Sequence, residues 1–417
     1  MEHRDFQFDV VVIGGGPAGV MAAGRAAEKG ARVALVEKNE QIGRKLAMTG
    51  NGRCNITQAE FDDQKLIEKY GKNGKFLLSS LSAFGVRRIV DFFEKRGLKL
   101  KTEKTGKIFP ANDKAADVIK VLYRYLHDNG VTTLFGNEVV DIEFEGNMIS
   151  KIILKRGEIT ARNYVIATGG KSYPHTGSTG KGYDWAQKVG HAVKSPSPAL
   201  VPIQAHNSWL EKAQGISLGG VELNVYLDGK KKFSQIGDMI FTHFGISGPV
   251  VLNISKSVGD LLEKGEVKIL VDIKPGLSVE KLDEVLQNEF RSSAKKLANS
   301  LGDFYAPKLW ELLLHITKLD AEKHASRISR EERKALVKVS KGLEIEVDSL
   351  LGFERAMVTS GGVSVREVDS KTMRSKKIDN LFFAGEVLDI EGPTGGYNLQ
   401  ICWSTGFTAG ENAAVGK

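Results

Sequence analysis

The feature that most constrains the fold is a glycine-rich turn between a predicted strand and a predicted helix near the start of the chain. Phe8–Ile13 is a short, β-branched apolar run, typical of a parallel strand that is buried on both faces. Residues 14–19 then fit the pattern G-x-G-x-x-G. Residues 20–28 contain small helix-forming side chains, and Gly30 is placed to end that helix. The segment therefore predicts a strand, a turn and a helix.

This turn and an acidic residue beyond it predict a dinucleotide site. The first glycine makes the tight turn, the second lets the backbone approach a pyrophosphate, and the third allows close packing of helix and strand. The start of the helix offers free N–H groups to the phosphates. A second strand over residues 31–36 leads to Glu37, whose carboxylate can accept hydrogen bonds from both adenosine ribose hydroxyls. The predicted contacts in the turn are Gly14, Gly16, Pro17, Ala18 and Gly19.

Three further segments of small and polar residues are predicted to surround the same ligand. One follows Glu37, one follows a strand near Tyr164, and one follows a strand over residues 381–383. In an open α/β sheet, ligands bind at the carboxyl ends of the strands. The predicted contacts here are Lys38, Lys45, Gly50, Asn51, Gly52, Arg53, Cys54, Asn55, Ala167, Thr168, Gly169, Gly170, Gly385 and Glu386. For the first segment, a solvated surface loop is the alternative interpretation.

A segment near the C-terminus favours FAD over NAD. Glycine-rich residues 392–400 precede a predicted helix of small residues that runs to Ala414. Free N–H groups at the start of such a helix can face the N1 and C2 carbonyl edge of an isoalloxazine and stabilise the reduced ring. The predicted contacts are Gly395, Gly396, Tyr397, Asn398 and Leu399. An NAD dehydrogenase does not require a C-terminal segment that comes back to the cofactor bound by the N-terminal one.

Motifs along almost the whole chain carry a family resemblance. VVIGGGPAGVMAA, TGNGRCN, ATGGKSYPHTGSTGKGYDWA, FTHFGISGP, VTSGGV and LFFAGEVLDIEGPTGGYNLQ resemble the bacterial NAD(P)/FAD-dependent oxidoreductase family that includes aminoacetone oxidase and a bile-acid dehydroxylation flavoprotein. The resemblance implies an α/β fold: a Rossmann-like domain of glutathione-reductase-like topology that binds FAD non-covalently, interrupted by an inserted β domain and a helical domain. It also implies that the backbone of Val139 contacts the adenine. Members differ in substrate, so the reaction stays open.

The order of predicted elements indicates the domain boundaries. A length of 417 residues predicts two or three domains. The FAD-binding domain is predicted over residues 1–193 and 357–417, the inserted β domain over 194–277, and a helical subdomain with the return to the FAD domain over 278–356. Residues 139–144 and 148–154 are expected to form one hairpin, and the Asp228-Gly229 pair predicts another.

Composition excludes several classes of protein. Apolar residues make up 41% of the chain and low-complexity tracts are absent, which excludes long disorder. The two cysteines, Cys54 and Cys402, exclude a disulfide framework and a cysteine zinc site and favour a reducing compartment. With no readable signal peptide or membrane span, we expect a cytoplasmic protein without a membrane partner. The net charge of +8 attracts anions, but no basic face interleaved with stacking aromatics is visible, so nucleic acid is not expected as a partner.

Few residues qualify as catalytic. Tyr173 and His175 lie in a glycine-rich loop that is expected either to line the substrate side of the flavin or to be purely structural. His243 belongs to the predicted β domain, where it can close over the isoalloxazine as an acid or base, although a structural, hydrogen-bonded histidine is the favoured alternative. Cys54 has no partner cysteine and is assigned a packing role. No metal site is predicted.

Together these features predict an FAD-dependent oxidoreductase. A small organic substrate or reduced nicotinamide delivers a hydride to flavin N5, and the electrons pass to oxygen or another acceptor. Since the chain has one dinucleotide fingerprint, NADH or NADPH would bind only transiently as a co-substrate. An oxygen-using amine oxidase, an FAD-dependent tRNA-modifying enzyme and a flavin-binding interaction protein are the alternatives. The oligomeric state is not predicted.

Overall fold

The protein, described by a computed structural model over residues 6–415, divides into two compact units. The first unit comprises the chain up to Pro198 together with the chain from Met357 onward. The second, here called the barrel unit, is Ala199–Ala356. Each unit has its own hydrophobic core.

The elements follow one another along the chain as mixed strands and helices. The strands are β1 (Phe8–Ile13), β2 (Val33–Val36), β3 (Thr57–Gln58), β4 (Leu100–Thr102), β5 (Lys107–Pro110), β6 (Thr132–Leu134), β7 (Val139–Glu145), β8 (Met148–Leu154), β9 (Glu158–Ile159), β10 (Ala161–Ile166), β11 (Val193–Ala199), β12 (Ile203–Ala205), β13 (Ser217–Leu227), β14 (Lys230–Thr242), β15 (Gly245–Ser247), β16 (Val267–Asp272), β17 (Leu343–Leu350), β18 (Val358–Val363) and β19 (Leu381–Phe383). The α-helices are α1 (Pro17–Glu28), α2 (Arg44–Gly52), α3 (Asp63–Glu68), α4 (Leu78–Phe84), α5 (Val86–Lys95), α6 (Ala115–Asp128), α7 (Lys181–Lys188), α8 (Leu210–Ala213), α9 (Pro249–Leu262), α10 (Val279–Ser292), α11 (Pro307–Thr317), α12 (Arg330–Lys341) and α13 (Tyr397–Ala413).

A five-stranded parallel sheet forms the centre of the first unit, in the order β19-β10-β1-β2-β6. Within it, Val12 of β1 lies opposite Val165 of β10 on one side and Leu35 of β2 on the other. All three side chains are buried, as the apolar runs predicted. The carboxyl ends of β1, β2, β10 and β19 therefore meet at one edge of the sheet, which confirms the predicted Rossmann-like α/β fold.

Helices α1 and α13 pack against each other through small residues. A Cβ on Gly406 would overlap the carbonyl oxygen of Ala18, and one on Gly410 would overlap that of Ala22. Only glycine at these positions lets the two helix backbones approach so closely. The first helix of the chain and the last described one are thereby held together beside the glycine turn.

Three small sheets accompany the central one in the first unit, and two of them are antiparallel. Strands β7 and β8 form the predicted hairpin, with Val139 opposite Leu154, and β9 extends it. A second small sheet has the order β3-β5-β4. Strands β11 and β18 form a two-stranded sheet of their own.

The barrel unit is a closed barrel in the order β12-β15-β14-β13-β16-β17. The predicted Asp228-Gly229 turn joins β13 to β14. Residues 199–356, expected as a β domain followed by a helical subdomain, share one core in which Leu282 and Leu336 of the helices pack with Ile269 of the barrel. Residues 343–350 were predicted as part of the helical subdomain and return segment, but they form β17, which pairs with β16 and β12 and closes the barrel. Within residues 6–415, no helix combines the length and apolar character that a membrane span requires.

Candidate cofactor and active site

The glycine turn after β1 leaves open space at one position and none at its neighbours. Gly14 has φ +107°, and a Cβ there would lie 2.6 Å from the carbonyl oxygen of Ala167. A Cβ on Gly19 would overlap the Gly14 oxygen. At Gly16, by contrast, no atom lies within 4 Å of where a Cβ would be. Since Gly16 directly precedes the first turn of α1, this space is suited to a phosphate group approaching the helix N-terminus.

Glu37, at the end of β2, is held by hydrogen bonds from its own neighbours. Its Oε2 accepts from the Gly15 N–H at 2.6 Å, and its Oε1 accepts from the Asn39 backbone N–H at 2.8 Å and side-chain Nδ2 at 2.6 Å. The residue is only 8% exposed. A carboxylate has about four acceptor positions. These contacts therefore leave room for one ribose hydroxyl, fewer than the two expected, and Asn39 is a site residue that the sequence did not reveal.

The loop that contains Tyr173 and His175 lies beside this acidic residue. Asn39 Nδ2 donates to the Thr176 carbonyl oxygen at 3.1 Å, and Lys38 Nζ donates to Thr179 Oγ1 at 3.3 Å. Tyr173 has φ +53° and its ring meets the exposed His175 ring edge to face. These contacts hold the loop beside Glu37. Its two predicted roles, lining the substrate side of the flavin or a purely structural one, stay predictions. A catalytic role for Tyr173 and His175 stays a prediction.

The start of β7 reaches the same end of the site. The Gly136 N–H donates to the Asn39 carbonyl oxygen at 3.1 Å, and the Asn137 N–H donates to that of Glu37 at 3.2 Å. Val139 follows two residues later and is buried. This position agrees with the contact to the adenine that the resemblance implies for its backbone, which stays a prediction.

The polar segment after Glu37 begins as a helix and then unwinds. Within α2, Gly50 and Asn51 have left-handed backbone angles, with φ +58° and +57°, and Gly52 follows with φ +81°. Arg53 is turned toward the protein: its guanidinium lies 2.7 Å from Glu103 and over the Phe109 ring. Arg53 therefore anchors the segment to the β5 region, and its predicted contact with the ligand stays a prediction.

Three side chains bear on how this segment and the β10 end fit a ligand. Asn55 Oδ1 and Thr168 Oγ1 are buried and have no hydrogen-bond partner among the described residues. An unsatisfied buried polar atom costs about 1 to 3 kcal/mol, so a polar ligand at either atom would be stabilising. Burial raises the pKa of the Cys54 thiol to about 12, which keeps it protonated and supports the predicted packing role.

An ion pair joins the N-terminal and C-terminal parts of the site. Lys45 Nζ lies 2.8 Å from Glu386 Oε2, and the Thr359 N–H donates to Glu386 Oε1 at 2.8 Å. Thr359 Oγ1 in turn accepts from the Lys171 N–H at 2.8 Å, and a Cβ on Gly170 would overlap it. The structure thus brings together contacts predicted in three distant segments. Thr359 was not predicted as a contact. It lies in the VTSGGV motif, and membership of that motif is the sequence feature that could have indicated it.

The glycines before α13 fit closely over β3. Gly396 has φ +99°, and a Cβ there would overlap the backbone of Thr57. Thr57 Oγ1 donates to the buried Gln400 Oε1 at 2.7 Å, which fixes the first turn of the helix on the strand. The N-terminus of α13 is therefore positioned by β3, through residues that the sequence analysis had not selected.

Side chains at the start of α13 have separate roles. The Tyr397 ring meets the Tyr70 ring edge to face at 6.2 Å, and the Tyr70 hydroxyl donates to the Tyr397 carbonyl oxygen at 3.1 Å. Burial, with the Glu60 carboxylate nearby, raises the pKa of Tyr397. The Asn398 amide bonds to both backbone groups of Gly392 at 2.8 and 2.9 Å, so it shapes the preceding turn.

His243 lies in the barrel unit, exposed in the turn between β14 and β15. Its ring centroid is 5.0 Å from that of Phe244, in an edge-to-face arrangement. Its proposed role as an acid or base stays a prediction. In the described part of the chain, no group of three His, Cys, Asp or Glu side chains is arranged to hold a metal ion.

The sequence and the fold of this chain are similar to those of several known proteins. Residues 8–412 match the family described as HI0933-like protein Rossmann domain. The 3-dehydro-bile acid delta(4,6)-reductase of Clostridium scindens is 31% identical over 408 residues, covering 97% of this chain and 98% of that protein. The ribosomal RNA dihydrouridine synthase of Escherichia coli is 28% identical over 413 residues, covering 99% of each. The structure of 3-ketosteroid delta1-dehydrogenase from Sterolibacterium denitrificans, 14% identical, shares the fold with a TM-score of 0.54 over 98% of this chain and 99% of that one.

Proposed function

The chain belongs to the HI0933-like Rossmann-domain family and is an FAD-dependent oxidoreductase, and from this premise we propose that it reduces a carbon–carbon double bond conjugated to a ring carbonyl. In the proposed reaction, NADH or NADPH is oxidised and the β-carbon of the double bond receives a hydride, for which bound FAD would supply the carrier. A proton adds to the α-carbon, so that two electrons and two hydrogens saturate the bond. This narrows the broader prediction of hydride transfer with a small organic substrate.

The names of two relatives support this reaction. One describes the reduction of delta(4,6) double bonds in a 3-dehydro bile acid. The other describes the synthesis of dihydrouridine, which is uridine with its ring double bond saturated beside a carbonyl group. The substrates differ greatly in size and charge, but the bond reduced and the activating carbonyl are of the same kind.

The structural observation that carries the proposal is that α13 packs beside the glycine turn, with Gly406 against Ala18, while Lys45 pairs with Glu386 after β19. In the proposed complex, Gly16 and the N-terminus of α1 hold the pyrophosphate, and Glu37 binds the adenosine ribose. Asn55 Oδ1 and Thr168 Oγ1 gain the partners that they lack. Bound FAD supplies a hydride carrier, and the N-terminal N–H groups of α13 stabilise negative charge on its ring.

Anaerobic absorption spectroscopy tests this function. We expect NADH or NADPH to bleach the flavin band near ~450 nm, and 4-androstene-3,17-dione, a conjugated ketone, to restore it. The matched control is the corresponding saturated diketone, which should leave the flavin reduced. Absence of bleaching with both nicotinamides would exclude them as donors, and flavin reduction by aminoacetone with reoxidation by oxygen would favour the amine oxidase alternative.

A second candidate substrate is uridine in RNA, favoured by one surface feature. Phe61 is 47% exposed, and the Arg87 guanidinium lies 4.6 Å from the centroid of its ring. Such an arginine and aromatic pair offers a stacking surface and a positive charge to a nucleic acid base. Arg87 also belongs to a strongly basic segment, residues 63–124, which contains 15 Lys and Arg and 7 Asp and Glu. From the sequence, no basic face interleaved with stacking aromatic side chains was predicted.

Mass spectrometry of nucleosides distinguishes the two substrates. If RNA is the substrate, incubation of ribosomal RNA with the enzyme and NADPH should yield dihydrouridine. Phe61→Ala should lower that yield while leaving reoxidation by 4-androstene-3,17-dione unchanged. Val279→Ala, a change at an equally exposed apolar residue of the barrel unit, is the control. Lack of dihydrouridine would leave the conjugated ketone as the favoured substrate class.

A further inference from the structure

The excess positive charge of the protein is confined to one segment of the first unit. The barrel unit contains 22 Lys and Arg and 22 Asp and Glu, so it is formally neutral. Residues 63–124 contain 15 basic and 7 acidic residues, which equals the net charge of +8 of the whole chain. Local excess of one sign attracts ligands of the opposite sign. This segment is therefore the part of the chain that attracts anions most strongly.

A depression of about 350 Å³ lies between the end of α5 and one face of α6. Its polar lining comes from Lys99 and Asn112 on the two connecting segments and from Asp117, Lys120 and Arg124 on α6. The three α6 residues are spaced by three and four positions, which places them on one face of the helix. The lining holds three cations and one carboxylate, a net charge of +2.

Of the three cations that line the depression, Lys120 has an acidic partner, whereas Lys99 and Arg124 have none among the described residues. Asp117 accepts from Lys120 at 3.0 Å and from the Asn112 amide at 2.6 Å. These contacts lower the pKa of Asp117 and keep it ionised. For Lys99 and Arg124, no side-chain hydrogen bond or ion pair exists with any residue of 6–415. In the basic segment of the barrel unit, by comparison, Lys323 is paired with Glu332 and Arg333 with Asp283.

We propose that this depression binds a phosphate group, through Lys99 and the guanidinium of Arg124. Two unpaired cations match the charge of a phosphate monoester, and the planar guanidinium can donate two parallel hydrogen bonds to its oxygens. The volume exceeds that of a single ion and accommodates the group to which the phosphate is attached. The phosphate belongs to a free nucleotide or to a nucleic acid backbone, and the test separates these sources. The site is independent of the proposed reaction.

Calorimetric titration of the flavin-loaded protein tests the site. The ligands are inorganic phosphate, ADP and a 12-nucleotide RNA, each at low and high salt; bound FAD keeps ADP out of the cofactor site. Binding of ADP or phosphate assigns the site to a free nucleotide, and binding of RNA alone assigns it to backbone phosphates. For the ligand that binds, the double variant Lys99→Glu, Arg124→Glu should lower affinity at least about tenfold, and high salt should also weaken binding.

The control is Lys75→Glu, which makes the same charge change at an exposed lysine of the segment that does not line the depression. It should alter affinity for the bound ligand less than about twofold. Equal flavin content and an unchanged midpoint of urea unfolding show that all variants are folded, and that a loss concerns this site alone. The proposal is overturned if none of the three ligands binds, or if Lys75→Glu weakens binding as much as the double variant does.

Discussion

Lys45 Nζ lies 2.8 Å from Glu386 Oε2, across 341 residues of sequence, with both side chains about four-fifths buried. A pair this far from solvent is screened less than an exposed one. In a double-mutant cycle with Lys45→Met and Glu386→Gln, we expect a coupling of about 1 to 2 kcal/mol in the free energy of unfolding. The control is the exposed Lys281–Glu284 pair, at a similar 2.9 Å, where the coupling should stay below about 0.5 kcal/mol. Equal couplings for both pairs would contradict the expectation that the buried Lys45–Glu386 pair contributes more to stability than an exposed pair.

Gly16→Val should abolish FAD retention without unfolding the protein. The added Cβ has no protein atom within 4 Å, and the side chain occupies the space through which the pyrophosphate approaches the backbone. Flavin content measured after gel filtration checks the result. Gly276→Val in the barrel unit, where the space is equally open, should keep full flavin content. A yellow Gly16→Val protein with undiminished flavin would refute the assignment.

Asn39→Ala should weaken nucleotide binding because Asn39 orients the Glu37 carboxylate with two hydrogen bonds. The backbone bond remains in the variant, so we expect a loss of affinity of about tenfold for ADP on the flavin-free protein, measured by calorimetry. With 2′,3′-dideoxy-ADP, which lacks the ribose hydroxyls, the same substitution should cost much less. Asn129→Ala, which removes a side-chain bond at the end of α6, is the control. A loss that is equal for both nucleotides would indicate a merely structural role for Asn39.

Gly410→Ala should separate α13 from α1, since the new Cβ would overlap the Ala22 carbonyl oxygen. Overpacking of this kind costs about 1 to 3 kcal/mol in the free energy of unfolding, measured in urea. Gly302→Ala, where the space is open, should change that free energy by less than about 0.5 kcal/mol. An unchanged stability for Gly410→Ala would show that the two helices are not held at this distance.

His191 should make the stability of the protein depend on pH. Its side chain is fully buried, with Nε2 2.7 Å from Ser375 Oγ and Nδ1 3.2 Å from Glu367 Oε2. Burial lowers the pKa of His191, and the nearby Lys377 ammonium lowers it further. The Glu367 carboxylate raises this pKa, but by less than burial lowers it. Folding therefore favours the neutral ring. Its contribution is complete above the unfolded pKa of about 6.5 and is lost as pH falls toward the lower folded value.

Urea unfolding between pH 7.5 and 5.5 measures this effect. The free energy of unfolding should decrease more steeply with falling pH in the unaltered protein than in His191→Gln, by at most about 1.4 kcal/mol per pH unit. His127→Gln, a change at a histidine whose side chain is 88% exposed, should leave the slope unchanged. A slope that is the same with and without His191 would contradict the assignment.

The sequence by itself determined the features that depend on neighbouring residues. The strand before Gly14, the helix that ends shortly before Gly30 and the turn at Asp228 and Gly229 were predictable because apolar periodicity and glycine backbone freedom act within a few residues. Parallel strands end at one sheet edge, so the segments around Glu37 and Gly385 were also expected to meet.

Only the tertiary structure decided which side chains in those segments face the ligand space and which face the protein. Arg53 and Asn398, whose contacts with the cofactor stay predictions, bond within the protein to Glu103 and to Gly392. Asn39 became a site residue because its amide reaches Glu37. Hydrogen bonds between such partners depend on side-chain direction and on chain segments brought close by folding, and residue spacing encodes neither.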